Sequence, residues 1–177
     1  MTRKRAIDPT NAQTEHLLKE VYLQRILSCL KDLSLEQIWW RPNEASNSVG
    51  NLVLHLQGNV RQWIISGLGG EPDTRHRDKE FNQRRSMPRR ELMRGLRTTV
   101  GEASCVLLKL SAEDLTRVHS TQKYRVTGLE AAFHVAEHFS HHAGQIILLT
   151  KMLTGNDLKF TRLPGEKRKA AGKLPTW

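Results

Sequence analysis

Apolar residues recur along this chain at three- and four-residue steps, the period of a helix with one buried face. Leu17, Leu18, Val21, Ile26, Leu27 and Leu30 mark a helix over residues 9–32, with Pro9 in its first turn. Val49, Leu52, Val53, Leu56, Val60, Trp63 and Ile64 mark a second. Ser48 or Asn47 serves as its N-cap, and Gly67, Gly69 and Gly70 stop it. Leu92, Leu96, Val100, Ala103 and Leu107 share one stripe of a third helix, from about Pro88 to Leu110. The last runs from about Thr127 to Leu153 and ends at Gly155. Between them, Ser34 to Asn47 reads as a connection, residues 71–87 as polar and irregular, and Ser111 to Leu115 as a short turn. No run of alternating strands and no internal repeat is visible. The pattern predicts an all-α chain folded as an antiparallel four-helix bundle.

Composition adds one domain and two arms to this picture. A chain of 177 residues, 38% apolar and 26% charged, supports a single modest core. The formal charge of +10 is concentrated. Residues 1–8 form a basic arm, and residues 159–177, with six cations against Glu166, form a basic tail. Residues 9–158 are then the bundle domain. Arg75 to Arg97 is a third basic stretch, with nine cations against three anions. Such arms leave open a binding protein that engages nucleic acid or another acidic partner. No apolar run approaches the roughly 18 residues of a membrane span, and the basic start lacks the apolar stretch of a signal peptide. The expected location is the cytoplasm. Cys29 and Cys105 lie far apart within helical patterns and are expected to be buried, reduced thiols.

The histidines carry the chemistry. Of eight, four stand in His134-Val-Ala-Glu-His138-Phe-Ser-His141-His142-Ala-Gly-Gln145. Residues four apart on a helix lie about 40° apart and one turn along, so two imidazoles can reach one ion. At about 100° per residue, Ala131, Val135, Phe139, Ala143, Ile146, Leu149 and Leu153 form the buried arc of the last helix. His138 and His142 fall on the same side, with Gln145 beside them. His134 lies at the border and His141 towards the polar arc. Two inward imidazoles in an apolar wall are costly without partners, which selects His138 and His142. His55, the only histidine of the second helix, is the best third ligand, although it sits with Asn59 on a flank about 120° from the apolar stripe. Periodicity leaves a second reading open, a set of hydrogen-bonded core and surface histidines.

The chain resembles the DinB-like or YfiT-like superfamily of four-helix-bundle metalloenzymes, in one of its uncharacterised bacterial branches. The segments that carry the resemblance run from Trp40 through Arg41-Pro42 and Leu54-His55-Leu56 to Trp63, then Gly69-Gly70-Glu71-Pro72-Asp73, and His134 to Gln145. Together they span roughly residues 10–160. The resemblance implies a divalent ion, zinc, nickel or similar, held by His55, His138 and His142. It also implies a homodimer, a small-molecule substrate and, in several relatives, a low-molecular-weight thiol. The basic tail is outside the family pattern.

A divalent ion on three neutral imidazoles keeps positions open for chemistry. It would either activate a small thiol for S-transfer or activate water for hydrolysis. Hydrolysis wants a general base, and Glu137 lies on the outer face, so thiol transfer is the expected reaction and metal-dependent hydrolysis its alternative. His134, His141, Gln145, Asn59 and Arg61 are candidates for orienting ligand or substrate. Arg75, Arg77, Arg84 and Arg85 read as a solvated loop or as a lid attracting an anionic substrate. Trp39, Trp40 and Trp63 read as core or interface aromatics.

Overall fold

A computed structural model describes residues 8–84 and 86–161. Most of both basic arms, together with Arg85, lies outside the described residues.

Four long helices form where the periodicity placed them. Helix α1 runs as Pro9–His16, a π-helical turn Leu17–Tyr22, and Leu23–Asp32. Asp8 caps it, its carboxylate accepting from the Thr10 amide at 2.8 Å. Helix α3 runs as Val49–Val60 and a π-helical turn Arg61–Ser66, capped by a reciprocal Ser48/Asn51 pair. Helix α5 is Arg89–Leu107, and α7 is Gly128–Thr154. A Thr127/Glu130 capping box opens α7, and Gly155 closes it in the left-handed conformation, φ 69°.

The links hold more structure than expected. Short helix α2, Leu35–Trp39, lies inside the first connection, started by a Ser34/Gln37 capping box. The polar segment between α3 and α5 contains helix α4, Arg77–Asn82. Helix α6, Ala112–Thr116, replaces the expected turn. A hairpin follows, β1 Val118–Thr121 and β2 Tyr124–Thr127, antiparallel with Val118 opposite Thr127 and Thr121 opposite Tyr124. Four-residue strands are too short to show alternation. Their turn, Gln122 and Lys123, takes positive φ at both positions without the Asn-Gly signature of such turns.

Contacts between helices set their directions. Asn11 and Arg89 bond α1 to α5 end to opposite end, through Leu110 and Leu33. His55–His138 and Asn59–His134 likewise run antiparallel across α3 and α7. Tyr22 against Phe139 and Gln37 against the Leu153 carbonyl make α1 parallel to α7. Gln57 meets Leu92 and Arg61 meets Glu102, so α3 and α5 are parallel too. Parallel neighbours require the link to travel back along the bundle, and α4 is carried on that link across the start of α3.

Leu18, Ile26, Leu30, Val53, Leu56, Ile64, Leu92, Leu96, Leu107, Val135, Phe139 and Ile146 form the core. Cys29 is buried and its thiol pushed up by burial, as expected. Cys105 is exposed, contrary to expectation, because it stands off the Val100–Ala103–Leu107 stripe. Trp39 and Trp63 pack on or in the core, whereas Trp40 is 41% exposed. No helix among the described residues is long and apolar enough to cross a membrane.

Candidate metal centre

His55, His138 and His142 converge between α3 and α7, with one ligand-capable atom of each within 4.8 Å of the others. The Nε2 atoms of His55 and His138 stand 3.1 Å apart. Tetrahedral coordination with metal–nitrogen bonds of about 2.0–2.1 Å requires nitrogens about 3.3 Å apart, so this pair already has a ligand spacing. Ring centroids of His142 lie 5.0 Å from His55 and 4.5 Å from His138.

The second nitrogen of each ring decides which atom is free to ligate. His142 Nδ1 donates to Gln145 Oε1 at 2.7 Å, leaving Nε2 with its lone pair. His55 Nδ1 lies 2.9 Å from Glu80 Oε2 and 3.1 Å from Arg75 Nη2, so its Nε2 is the atom that faces the other two rings. His138 Nδ1 is buried with no hydrogen-bond partner among the described residues. Burial, then the neighbouring charges of His142, His55, His134 and Arg75, push His138 down to about 3. Burial also lowers His142, against the opposing Gln145 bond. Neutral imidazoles with inward lone pairs are the state a divalent ion requires. The residues present fit the ion.

Burial of His55, 4% exposed, departs from the flank position of the helical wheel. The wheel is right about α3 alone, but α4 folds over that flank, and Phe81 lies 4.5 Å from the imidazole, centroid to centroid. Glu80, on the same short helix, belongs to the segment 71–87 that sequence alone marks only as polar and irregular. Its carboxylate is held by Arg75 through Nε at 2.7 Å and Nη2 at 2.9 Å. Burial pushes the Glu80 carboxyl up, yet the Arg75 and His55 bonds and charges outweigh it and hold it low. Arg75 is therefore neither lid nor solvated loop, since its side chain is 3% exposed in a buried ion pair. Arg77 lies over the Phe81 ring, and Arg84 bonds the Phe81 carbonyl. Sequence offered one signal for this pocket, Gly58, a glycine in mid-helix where it weakens the helix without an evident turn to serve.

The remaining candidates separate. Gln145 bridges His142 and exposed His141, with its Nε2 3.3 Å from His141 Nε2. Asn59 is buried and reaches His134 at 3.4 Å. His134, lowered by burial, stacks on Trp63 at 4.1 Å, and Tyr124 of the hairpin lies 6.3 Å from the other partner of that stack, Trp63. Arg61 does not join the centre. It pairs with Glu102 of α5 at an exposed position. Glu137 is exposed beside a groove lined by Leu17, Tyr22 and Phe133.

A family model covering residues 12–167, described as Protein of unknown function (DUF1572), matches most of the chain. The chain belongs to the DUF1572 family. Solved structures at 16–20% identity share the helical-bundle fold. A DinB-like protein, YjoA, from Bacillus subtilis is 20% identical, with a TM-score of 0.60 over 88% of this chain and 98% of its own. A DinB-like protein from Bacillus cereus is 17% identical, with a TM-score of 0.61 over 76% and 87%. A conserved protein from Enterococcus faecalis is 16% identical, with a TM-score of 0.72 over 85% and 100%. No curated protein matches the chain.

Proposed function

We propose that this DUF1572 protein binds one divalent ion through His55, His138 and His142 and uses it for thiol transfer to a small electrophilic molecule. The convergence of three imidazoles, each with a ligand-capable atom within 4.8 Å of the others, carries this reading. When bound, such an ion supplies the positive charge that lowers the pKa of a coordinated thiol and makes its sulfur nucleophilic at neutral pH. The chain's own part is to hold three uncharged donors in place and to exclude competing protons. His138 does so by burial, and Gln145 by fixing the His142 tautomer.

Thiol transfer is favoured over hydrolysis by the surrounding carboxylates. Glu80, the buried acid beside the trio, is committed to Arg75 and His55. Three of its roughly four acceptor sites are taken up by Arg75 Nε, Arg75 Nη2 and His55 Nδ1. The donor set is wholly neutral, so the ion would keep its charge and favour an anionic small ligand such as a thiolate.

Elemental analysis of untagged wild-type protein beside His142→Ala tests the site. About one divalent ion per wild-type chain and its loss in the variant is the expected result. Equal metal in both would sink the reading. With the site established, a panel of small thiols against an electrophilic dye should show metal-dependent turnover. Ester or amide hydrolysis without thiol would favour the hydrolase instead.

A further inference from the structure

We propose that Glu80 is a positioning residue: it fixes His55 as the Nδ1–H tautomer and aims Nε2 at the ion, with Arg75 as its clamp and Gly58 as its socket. As far as the ion is concerned, this rests on the metal reading above.

Distances around Nδ1 favour one tautomer. Arg75 is a donor only, and its Nη2 lies 3.1 Å from His55 Nδ1 and 2.9 Å from Glu80 Oε2. Glu80 Oε2 is also 2.9 Å from His55 Nδ1. Nδ1 is closer to the Glu80 acceptor than to the Arg75 donor, and Nη2 is closer to Oε2 than to Nδ1, so a carboxylate accepting from both neighbours places the His55 proton on Nδ1. The lone pair is then on Nε2, the atom 3.1 Å from His138 Nε2.

The carboxylate is held from three sides. Arg75 Nε donates to Oε1 at 2.7 Å, while Arg75 Nη1 is anchored on Gln62 Oε1 at 2.8 Å and Gln62 Nε2 on Asp73 at 2.7 Å. The backbone of α4 is clamped separately. Asn51 Nδ2 donates to the carbonyls of Glu80 at 2.7 Å and Gln83 at 3.2 Å. Arg41 Nη2 donates to Asn51 Oδ1 at 2.7 Å and to the Phe81 carbonyl at 2.9 Å. Beneath the ion pair lies Gly58, one helical turn from His55. A Cβ there would collide with Glu80 Oε1, reach 2.7 Å from its Cδ, and stand 2.9 Å from Arg75 Nε. The helix-weakening glycine is explained as the floor on which the carboxylate rests.

The arrangement is unequal among the three ligands. His55 is backed by a carboxylate, His142 by the amide oxygen of Gln145, and His138 Nδ1 by no polar group among the described residues. A carboxylate behind a ligating imidazole fixes its orientation and raises its basicity. Arg75 offsets the charge that burial would otherwise penalise.

Two readouts independent of catalysis test the proposal. Long-range nitrogen–proton NMR of metal-free protein reports the His55 tautomer, and zinc competition against a chromogenic chelator reports affinity. Wild type should show His55 protonated at Nδ1. Glu80→Gln, nearly isosteric and uncharged, should lose about 10- to 100-fold in zinc affinity. Gly58→Ala, a change that favours the helix itself, should displace the carboxylate, mix the His55 tautomers and weaken zinc similarly. An Nε2–H tautomer in wild type, or unchanged tautomer and affinity in both variants, would overturn it. Should wild type bind no zinc, the metal reading fails, and the tautomers of wild type and Gly58→Ala still decide whether Glu80 orders His55.

Discussion

His55 and His138 meet Nε2 to Nε2 at 3.1 Å across antiparallel helices, and the other side of the His55 ring is turned outward to Glu80. His138 so placed resists gaining a proton, since charge there is buried and faces its neighbours. Acid should therefore unfold the metal-free protein early. His138 titrates at about 3 in the folded chain against an ordinary 6.5, and His142 and His134 are shifted in the same direction. The unfolded chain thus binds more protons below 6.5. This contribution to stability is fully present above pH 6.5 and is lost as pH falls from there towards 3. Glu80, held low, adds a loss in the same direction as pH falls through its folded value. Urea midpoints followed by circular dichroism should drop steadily across that window. His138→Gln should flatten the slope, and equal midpoints at pH 7.5 and 4.5 would contradict this account.

Zinc should raise the melting temperature at pH 7.5, since an ion that binds only the folded chain stabilises it by mass action. At a hundred times its dissociation constant the gain is about 2.7 kcal/mol. Differential scanning calorimetry should show the shift in wild type and none in His138→Ala.

Asn51 is fully buried and serves three elements at once, capping α3 with Ser48, gripping the α4 carbonyls and accepting from Arg41. Replacing it with alanine removes a cap and strands buried carbonyls, for a combined cost of about 2–3 kcal/mol. Chemical denaturation would measure that loss, and zinc affinity should fall with it because α4 carries Glu80.

Phe139 lies in the same α7 segment as the ligands, fully buried against Tyr22. Phe139→Ala should cost about 3–5 kcal/mol in thermal or urea unfolding, through the lost transfer energy and the cavity left behind.

Arg61 provides the contrast. Its pairing with Glu102 is exposed on both sides, and such pairs contribute roughly 0–1 kcal/mol. Arg61→Ala should leave zinc affinity unchanged, and a loss of tenfold or more would return Arg61 to the centre.

Whatever depended on a single helix was legible beforehand. The spacing of Leu52, Leu56 and Ile64, the Ser48 and Thr127 caps and the Gly155 stop all act within a few residues, so local sequence determines them. The same holds for His138 and His142, which share a face because four residues make nearly one turn. His55 joined them as the only histidine of the second helix, and the family resemblance implied the same trio, although a wheel drawn for α3 alone leaves that residue on a flank. Tertiary structure decided the rest. Glu80 reaches His55 from 25 positions away, on a charged segment whose local pattern is that of a solvated link. It becomes a buried site residue only because α3 and α5 run parallel, so the chain must return along the bundle and lay α4 over the histidine. Local periodicity reports which face of a helix is apolar, but not which distant segment will cover its polar flank.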